Sequence, residues 1–202
     1  MSKSMKPLYL GVNRYVAAVN PRTGEEQWRT RLPHTGSSVV TLLIHEAFIY
    51  AGHAGHVYCL EKRRGEIQWE NDLPGMGFYP VMLALDSTGK RRPTPLYVGT
   101  SRYVAALNTQ AGGEIWRTKL PHTGSAIVSL LPGKAYLFVG HTGYLYALDN
   151  RLGTILWENG LKGMGFHTVT TTMEDADGAS AVGLAAGTRV EQQRRAAAAG
   201  GS

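Results

Sequence analysis

Ala18-Val19-Asn20-Pro21-Arg22-Thr23-Gly24-Glu25-Glu26-Gln27-Trp28 carries the pattern that organises the whole chain. It leaves an alternating apolar run, passes through Asn, Pro and Gly, and enters a second extended run that ends on Trp. Turn residues between two such runs mark a tight connection between antiparallel strands. The pattern returns three times. Trp28, Trp69, Trp116 and Trp157 fall at spacings of 41, 47 and 41 residues, and Gly11, Gly52, Gly99 and Gly140 repeat those spacings. A longer period of 88 residues divides the chain into modules 8–95 and 96–183. Repeats of about 40–50 residues point to a propeller, a solenoid or an array.

The two modules match closely in places. Arg14–Asn20 returns as Arg102–Asn108, Arg31–Ser37 as Lys119–Ser125, and Gly75–Phe78 as Gly163–Phe166. Four strand types can be read, here named A to D from the inside to the outside of a blade. B strands are expected over Pro7–Gly11, Ala47–Gly52, Pro95–Gly99 and Ala135–Gly140. C strands follow over Tyr15–Val19, His56–Leu60, Tyr103–Leu107 and Tyr144–Leu148. D strands cover Glu25–Thr30, Glu66–Glu70, Glu114–Thr118 and Thr154–Glu158. A strands cover Ser37–Ile44, Tyr79–Leu85, Ser125–Leu131 and His167–Met173. Gly24, Gly65, Gly112 and Gly153 sit at the C–D turns, where a positive φ suits glycine. The simplest role for Trp28, Trp69, Trp116 and Trp157 is structural docking between neighbouring sheets.

These runs resemble the tryptophan-docking motif A-x-D-x-x-T-G-x-x-x-W of pyrroloquinoline-quinone-like (PQQ-like) β-propellers. The first copy matches Ala18, Thr23, Gly24 and Trp28; the fourth matches Ala147, Asp149, Gly153 and Trp157, with Leu152 in place of Thr. The third matches Ala106, Gly112 and Trp116 with Asn108 and Ala111; the second is weaker, with Cys59, Glu61 and Arg64 before Gly65 and Trp69. The resemblance implies an all-β fold, a β-propeller of four-stranded antiparallel blades with four blade equivalents per chain. Such propellers usually have eight blades, so the chain reads as half of an eight-bladed ring. Residues 7–188 form the propeller part, 1–6 a flexible N-terminus and 189–202 a tail or linker.

The strand order is BCD, ABCD, ABCD, ABCD, A. The first blade lacks its A strand, and the last A strand lacks its blade. Closure within one chain gives four blades; exchange of A strands between two chains gives eight in a C2 homodimer. A homodimer is the expectation, and a four-bladed monomer competes with it. Ala181–Thr188 aligns with a B strand and reads as a redundant fifth one or the stub of a longer parent, and an engineered or excised fragment is a further alternative.

Charged residues are 18% and the net charge is +6, so an anionic ligand and a protein partner are both compatible. The single cysteine, Cys59, excludes an intrachain disulfide. No apolar run reaches the ~20 residues a membrane span needs, and residues 1–6 lack a signal-peptide core, so the cytoplasm is expected. One propeller face, built from B–C and D–A loops, gathers Arg14, His34, His53, His56, Arg102, His122 and His141. These are the candidate ligand or partner residues, against the plainer reading that the loops only shape turns. His53-x-x-His56 becomes His141-x-x-Tyr144 in the second module, so no metal site is assigned. The Leu-Pro-x-Thr-Gly runs at 32–36 and 120–124 match a sortase signal but precede core strands, and read as coincidence.

The opposite face holds Arg22, Lys62, Arg63, Arg64, Lys90, Arg91, Arg92, Lys134 and Arg151, without interleaved aromatics, which disfavours nucleic acid. Glu174, Asp175 and Asp177 lack EF-hand spacing. Quinone-dependent dehydrogenases of this fold use PQQ, Ca²⁺ and a catalytic Asp, often beneath adjacent cysteines. This chain offers no matching set, so no cofactor, no PQQ and no catalytic residue is expected. The functional expectation is a non-catalytic scaffold for protein–protein interaction, with a small-ligand or quinone-binding propeller as the alternative.

Overall fold

A computed structural model describes residues 5–34, 38–86, 93–122 and 124–173. They form fifteen strands in four antiparallel sheets. Blade 1 has three strands, β1 (Leu8–Val12), β2 (Tyr15–Val19) and β3 (Glu26–Arg31). Blade 2 has β4 (Val40–His45), β5 (Phe48–His53), β6 (His56–Glu61) and β7 (Ile67–Asn71). Blade 3 has β8 (Met82–Leu85), β9 (Pro95–Thr100), β10 (Tyr103–Asn108) and β11 (Glu114–Lys119). Blade 4 has β12 (Ser129–Pro132), β13 (Tyr136–His141), β14 (Tyr144–Asp149) and β15 (Ile155–Asn159). Each sheet runs in sequence order from inside to outside, as expected of propeller blades.

The docking motif has a local explanation in every blade. Its small residue pairs directly with the tryptophan: Ala18 with Trp28, Cys59 with Trp69, Ala106 with Trp116 and Ala147 with Trp157. The register then shifts at a β-bulge in all four copies, which turns the outer strand and aims the indole at the next blade. The polar residue two places after the small one caps the turn. Asn20 Oδ1 accepts from Arg22 N at 2.9 Å, and Asp149 Oδ1 accepts from the amides of Arg151 and Leu152 at 2.7 and 2.9 Å. Glu61 manages the same reach in the weakest copy, accepting from Arg63 and Arg64 amides at 2.9 and 2.8 Å. Those amides hold its carboxyl below the usual carboxylate range.

Blades stack through one repeated contact. Trp28 lies on Gly65, Trp69 on Gly112 and Trp116 on Gly153, so close that an added Cβ would meet the indole at 2.4–2.5 Å. The neighbouring D-strand side chain bonds the same glycine's carbonyl: Thr30 at 2.6 Å, Asn71 at 2.8 Å and Thr118 at 2.5 Å. Tyr9, Tyr50 and Tyr97 donate to the turn carbonyls of Lys62, Thr109 and Asn150. On the inner side, Val40, Val81, Val128 and Val169 press against Gly11, Gly52, Gly99 and Gly140 of the preceding blade.

The series stops at both ends. Gly24 has nothing within 4 Å of its would-be Cβ. Trp157 is 44% exposed, whereas Trp116 is 9% exposed. Among the described residues, therefore, the contact that joins successive blades is left open at blade 1 and at blade 4.

The B, C and D strands fall within one residue of their expected bounds. The A strands do not. They start three or four residues later than expected, because residues 38–39, 79–81 and 126–128 cross between blades before any ladder forms. His167–Met173 forms no strand at all. It follows the inner-strand path, since the Gly143 amide donates to the His167 carbonyl at 2.9 Å and Val169 packs on Gly140. A strand needs a ladder partner, and no fifth B strand is present among the described residues. The expected strand at 181–188 and the tail at 189–202 lie outside those residues, as do Lys90, Arg91, Arg92, Glu174, Asp175 and Asp177.

Gly112→Ala should cost about 2–4 kcal/mol in dilute urea denaturation, through a left-handed Cβ and a displaced indole. Gly24→Ala has the same kind of backbone, with φ +73° against +71° at Gly112, but no indole above it. It should cost only about 1–2 kcal/mol. Equal losses at both sites would contradict the packing described.

Candidate functional site: the clefts between blades

The first three D–A loops leave one blade and lie against the next on the face that carries the candidate histidines. In blades 2, 3 and 4 the side chain after the docking tryptophan meets the loop of the blade before. Its identity alternates: Arg29, Glu70, Arg117, Glu158. The loops alternate with it, Pro33-His34 and Pro121-His122 against Gly75-Met76-Gly77 and Gly163-Met164-Gly165.

At the first cleft the His34 ring stacks on His56, with centroids 4.2 Å apart and planes within 5°. His34 Nε2 lies 3.3 Å from Glu70 Oε1. His56 continues the stack onto Tyr58 at 6.1 Å. The third cleft repeats the arrangement with one exchange. His122 stacks on Tyr144 at 5.6 Å, its Nε2 lies 3.4 Å from Glu158 Oε1, and Tyr144 stacks on Tyr146 at 6.0 Å. Tyr146 donates to the Pro121 carbonyl at 2.8 Å and so ties the loop to the blade. Burial pushes the Tyr58 and Tyr146 phenols up to about 12, so both stay protonated at neutral pH.

The second cleft uses other chemistry. Arg117 donates to the Pro74 carbonyl, while Glu114 holds its other face at 2.5 Å. Met76 is fully buried there. The loop's Phe78 is 76% exposed although blades flank it on both sides. The fourth loop has no blade to lie on, and Met164 is 74% exposed.

His53 and His141 belong to a different layer. Both are fully buried on B strands, at positions one module apart. His141 places Nδ1 3.2 Å from the Ile127 carbonyl and Nε2 2.9 Å from the Gly124 carbonyl. A neutral imidazole carries one N–H, so it satisfies one of the two carbonyls and the imidazolium both. Arg14 and Arg102 enter through their backbone, accepting from the Leu32 and Leu120 amides at 2.8 and 2.9 Å. Of the seven expected residues, His34, His56 and His122 thus meet partners in the clefts, His141 and the Arg14 and Arg102 backbones bond loop segments, and His53 is buried on β5. Among the described residues, no three His, Cys, Asp or Glu side chains lie together as metal ligands. The sequence reading misses Glu70, Arg117, Glu158, Tyr144 and Tyr146 as site residues; the Arg/Glu alternation directly after each tryptophan marks the first three, and no comparable signal marks the two tyrosines.

The clefts can be compared with known proteins on this geometry. A family model described as outer membrane protein assembly factor BamB matches residues 12–90 and 100–192. The chain belongs to this family of PQQ-like β-propeller repeats. BamB from Moraxella catarrhalis is 17% identical with TM-score 0.51, over 79% of this chain and 48% of that one. Sqt1 from Saccharomyces cerevisiae is 14% identical with TM-score 0.59, over 77% of this chain and 48% of that one. The quinohemoprotein alcohol dehydrogenase ADHIIG from Pseudomonas putida HK5 is 15% identical with TM-score 0.56, over 77% and 33%. The chain thus spans less than half the length of these three solved structures, and at these identities the likeness concerns the fold. A comparison with curated proteins found no match. No helix among the described residues is long and apolar enough to cross a membrane.

The first cleft carries a pH dependence. Burial, and next the neighbouring His34, lower the His56 pKa from 6.5, while Asp72 and Glu70 act the other way. The folded state therefore resists protonation that the unfolded chain accepts near 6.5. This group's stability is full above that pH and is lost as pH falls through the lower folded value. His56→Tyr installs the residue found at Tyr144. The variant should lose less stability than the parent between pH 7 and about 5 in paired denaturation curves; parallel curves would contradict this role of His56.

Proposed function

We propose that this chain is a non-catalytic β-propeller scaffold for protein–protein interaction, working as a closed eight-bladed ring made by two copies that exchange inner strands. The observation that carries the reading is the pair of unmatched ends. Blade 4 offers Trp157 and the exposed Met164 loop; blade 1 offers the empty Gly24 and the unpaired edge of β1. Those are the two halves of a contact that the chain makes three times internally. An exposed sheet edge is a template for strand addition.

The scaffold part rests on the loop face. The His–aromatic–Glu clefts brace loops and leave no convergent donor set, and Phe78 stays exposed between two complete blades. An exposed aromatic on a rigid rim is the kind of group that anchors a protein interface. The family description, an assembly factor, points the same way. An anionic ligand remains compatible with the basic turns, where Arg151 and Trp116 line an open cavity of 450 Å³.

A quinone reading finds little support in the residues. Cys59, the one thiol, is buried within blade 2 and pushed up to about 12 by that burial. Among the described residues no three carboxylate, imidazole or thiol side chains gather as a Ca²⁺ site beside a quinone would need.

Light scattering of the purified chain should give about twice 21.9 kDa at micromolar concentration. A monomer at every concentration would overturn the two-copy ring, with the missing blades then supplied from elsewhere or the arc left open. Titration with PQQ and Ca²⁺ should leave the thermal midpoint unchanged; a saturable rise would replace the scaffold reading with the quinone one.

A further inference from the structure

We infer that ring closure is specified by a two-letter loop-and-blade code, in which Arg29 of one copy clasps the Lys162–Phe166 loop of a second copy. The inference rests on the two-copy reading and adds what makes the joint selective.

Within the chain, histidine loops always meet a glutamate blade, His34 with Glu70 and His122 with Glu158. The one internal glycine loop with a following blade meets an arginine, Arg117 on Pro74. Each match follows from the loop's chemistry. A histidine loop presents an N–H that a carboxylate accepts. A Gly-Met-Gly loop has no polar side chain to present, so only its backbone carbonyl is left, and a guanidinium supplies the donor. A glutamate facing that carbonyl would bring two acceptors together.

The fourth loop is of the glycine kind and ends the chain's last blade. The code demands an arginine blade after it. Blade 1 carries Arg29 at that position, with its guanidinium held in readiness by Glu26 at 2.5 Å and over the Tyr15 ring at 5.9 Å. Arg29 is 59% exposed at its side chain, against 25% for Arg117, which has its loop. In the joint, Arg29 would take the Lys162 carbonyl as Arg117 takes that of Pro74. Trp157 would cover Gly24, and Asn159 Nδ2 would reach the Gly24 carbonyl as Asn71 reaches that of Gly112 at 2.8 Å.

The inner strands supply the register. Met82 pairs with Gly99 and Leu85 with Leu96 in blade 3. One module on, Thr170 would pair with Gly11 and Met173 with Leu8 of the second copy. Thr171 then enters a ladder; its hydroxyl is buried without a partner in the single arc. Thr41, the counterpart of Thr170, donates at 2.5 Å to the Val81 carbonyl of the next inner strand. The closing joint also differs from the internal ones. Phe138 stands where Tyr9, Tyr50 and Tyr97 bridge to the next blade, so the joint lacks one hydrogen bond.

Two variants of the full chain read the code by sedimentation equilibrium, with the thermal midpoint as a fold control. Arg29→Glu should weaken the dimer at least tenfold while leaving the midpoint of the dilute chain near that of the parent. Replacing Lys162–Phe166 by the Pro33–Ser37 sequence in the Arg29→Glu background should restore dimerisation, because a histidine loop then meets a glutamate blade. A parent that never dimerises overturns the two-copy reading and the code together. A parent dimer untouched by Arg29→Glu overturns the code alone, and so does a weakened variant that the loop exchange fails to rescue.

Discussion

One glycine per blade, held at positive φ, receives the indole of the blade before it. Every other contact between blades is arranged around that approach. The bulge that turns the outer strand, the small residue opposite the tryptophan and the Asx-type cap on the turn all serve to bring Trp28, Trp69 and Trp116 onto Gly65, Gly112 and Gly153. Burying on the order of 150 Å² of indole at ~25 cal/mol per Å² contributes about 4 kcal/mol per joint before entropy is counted. Each blade is therefore completed by its neighbour, as in other repeat proteins. A stack built this way has no natural end. It leaves an uncovered indole on one side and an empty glycine on the other, as Trp157 and Gly24 are here.

Much of this was legible in the sequence because it is periodic. The 41, 47 and 41 spacings of the tryptophans located the blades, and alternation located the B, C and D strands to within a residue. The A strands begin later than alternation predicts, since apolar residues such as Val81 and Ile127 belong to the crossing rather than the ladder, yet are just as buried. Alternation cannot tell a buried loop residue from a buried strand residue. The last A segment forms no strand, and no strand among the described residues pairs with it. The candidate site was legible in its histidines but not in its logic. Glu70 and Glu158 look like ordinary exposed strand residues until the loops of the preceding blades are seen resting on them.

The module duplication explains why function and assembly are written in the same residues. Each module carries one histidine loop and one glycine loop, so the clefts alternate in chemistry around the arc. The shifted imidazole, His56, lies in the first cleft, and Tyr144 stands at its position in the third. The exposed Phe78 belongs to a glycine loop, on a rim that the histidine clefts hold in place. An arc with unmatched ends would present that rim on a flexing edge; a closed ring would present it on a rigid one.

Hydrogen exchange along Leu8–Val12, followed as a function of chain concentration, tests ring closure most directly. Among the described residues β1 pairs with β2 alone, so its inner edge has no ladder partner. If a second copy lays residues 170–173 along that edge, its amides become protected as concentration rises, together with the amides of the added segment. Fast exchange at β1 at every concentration would contradict closure by a second copy.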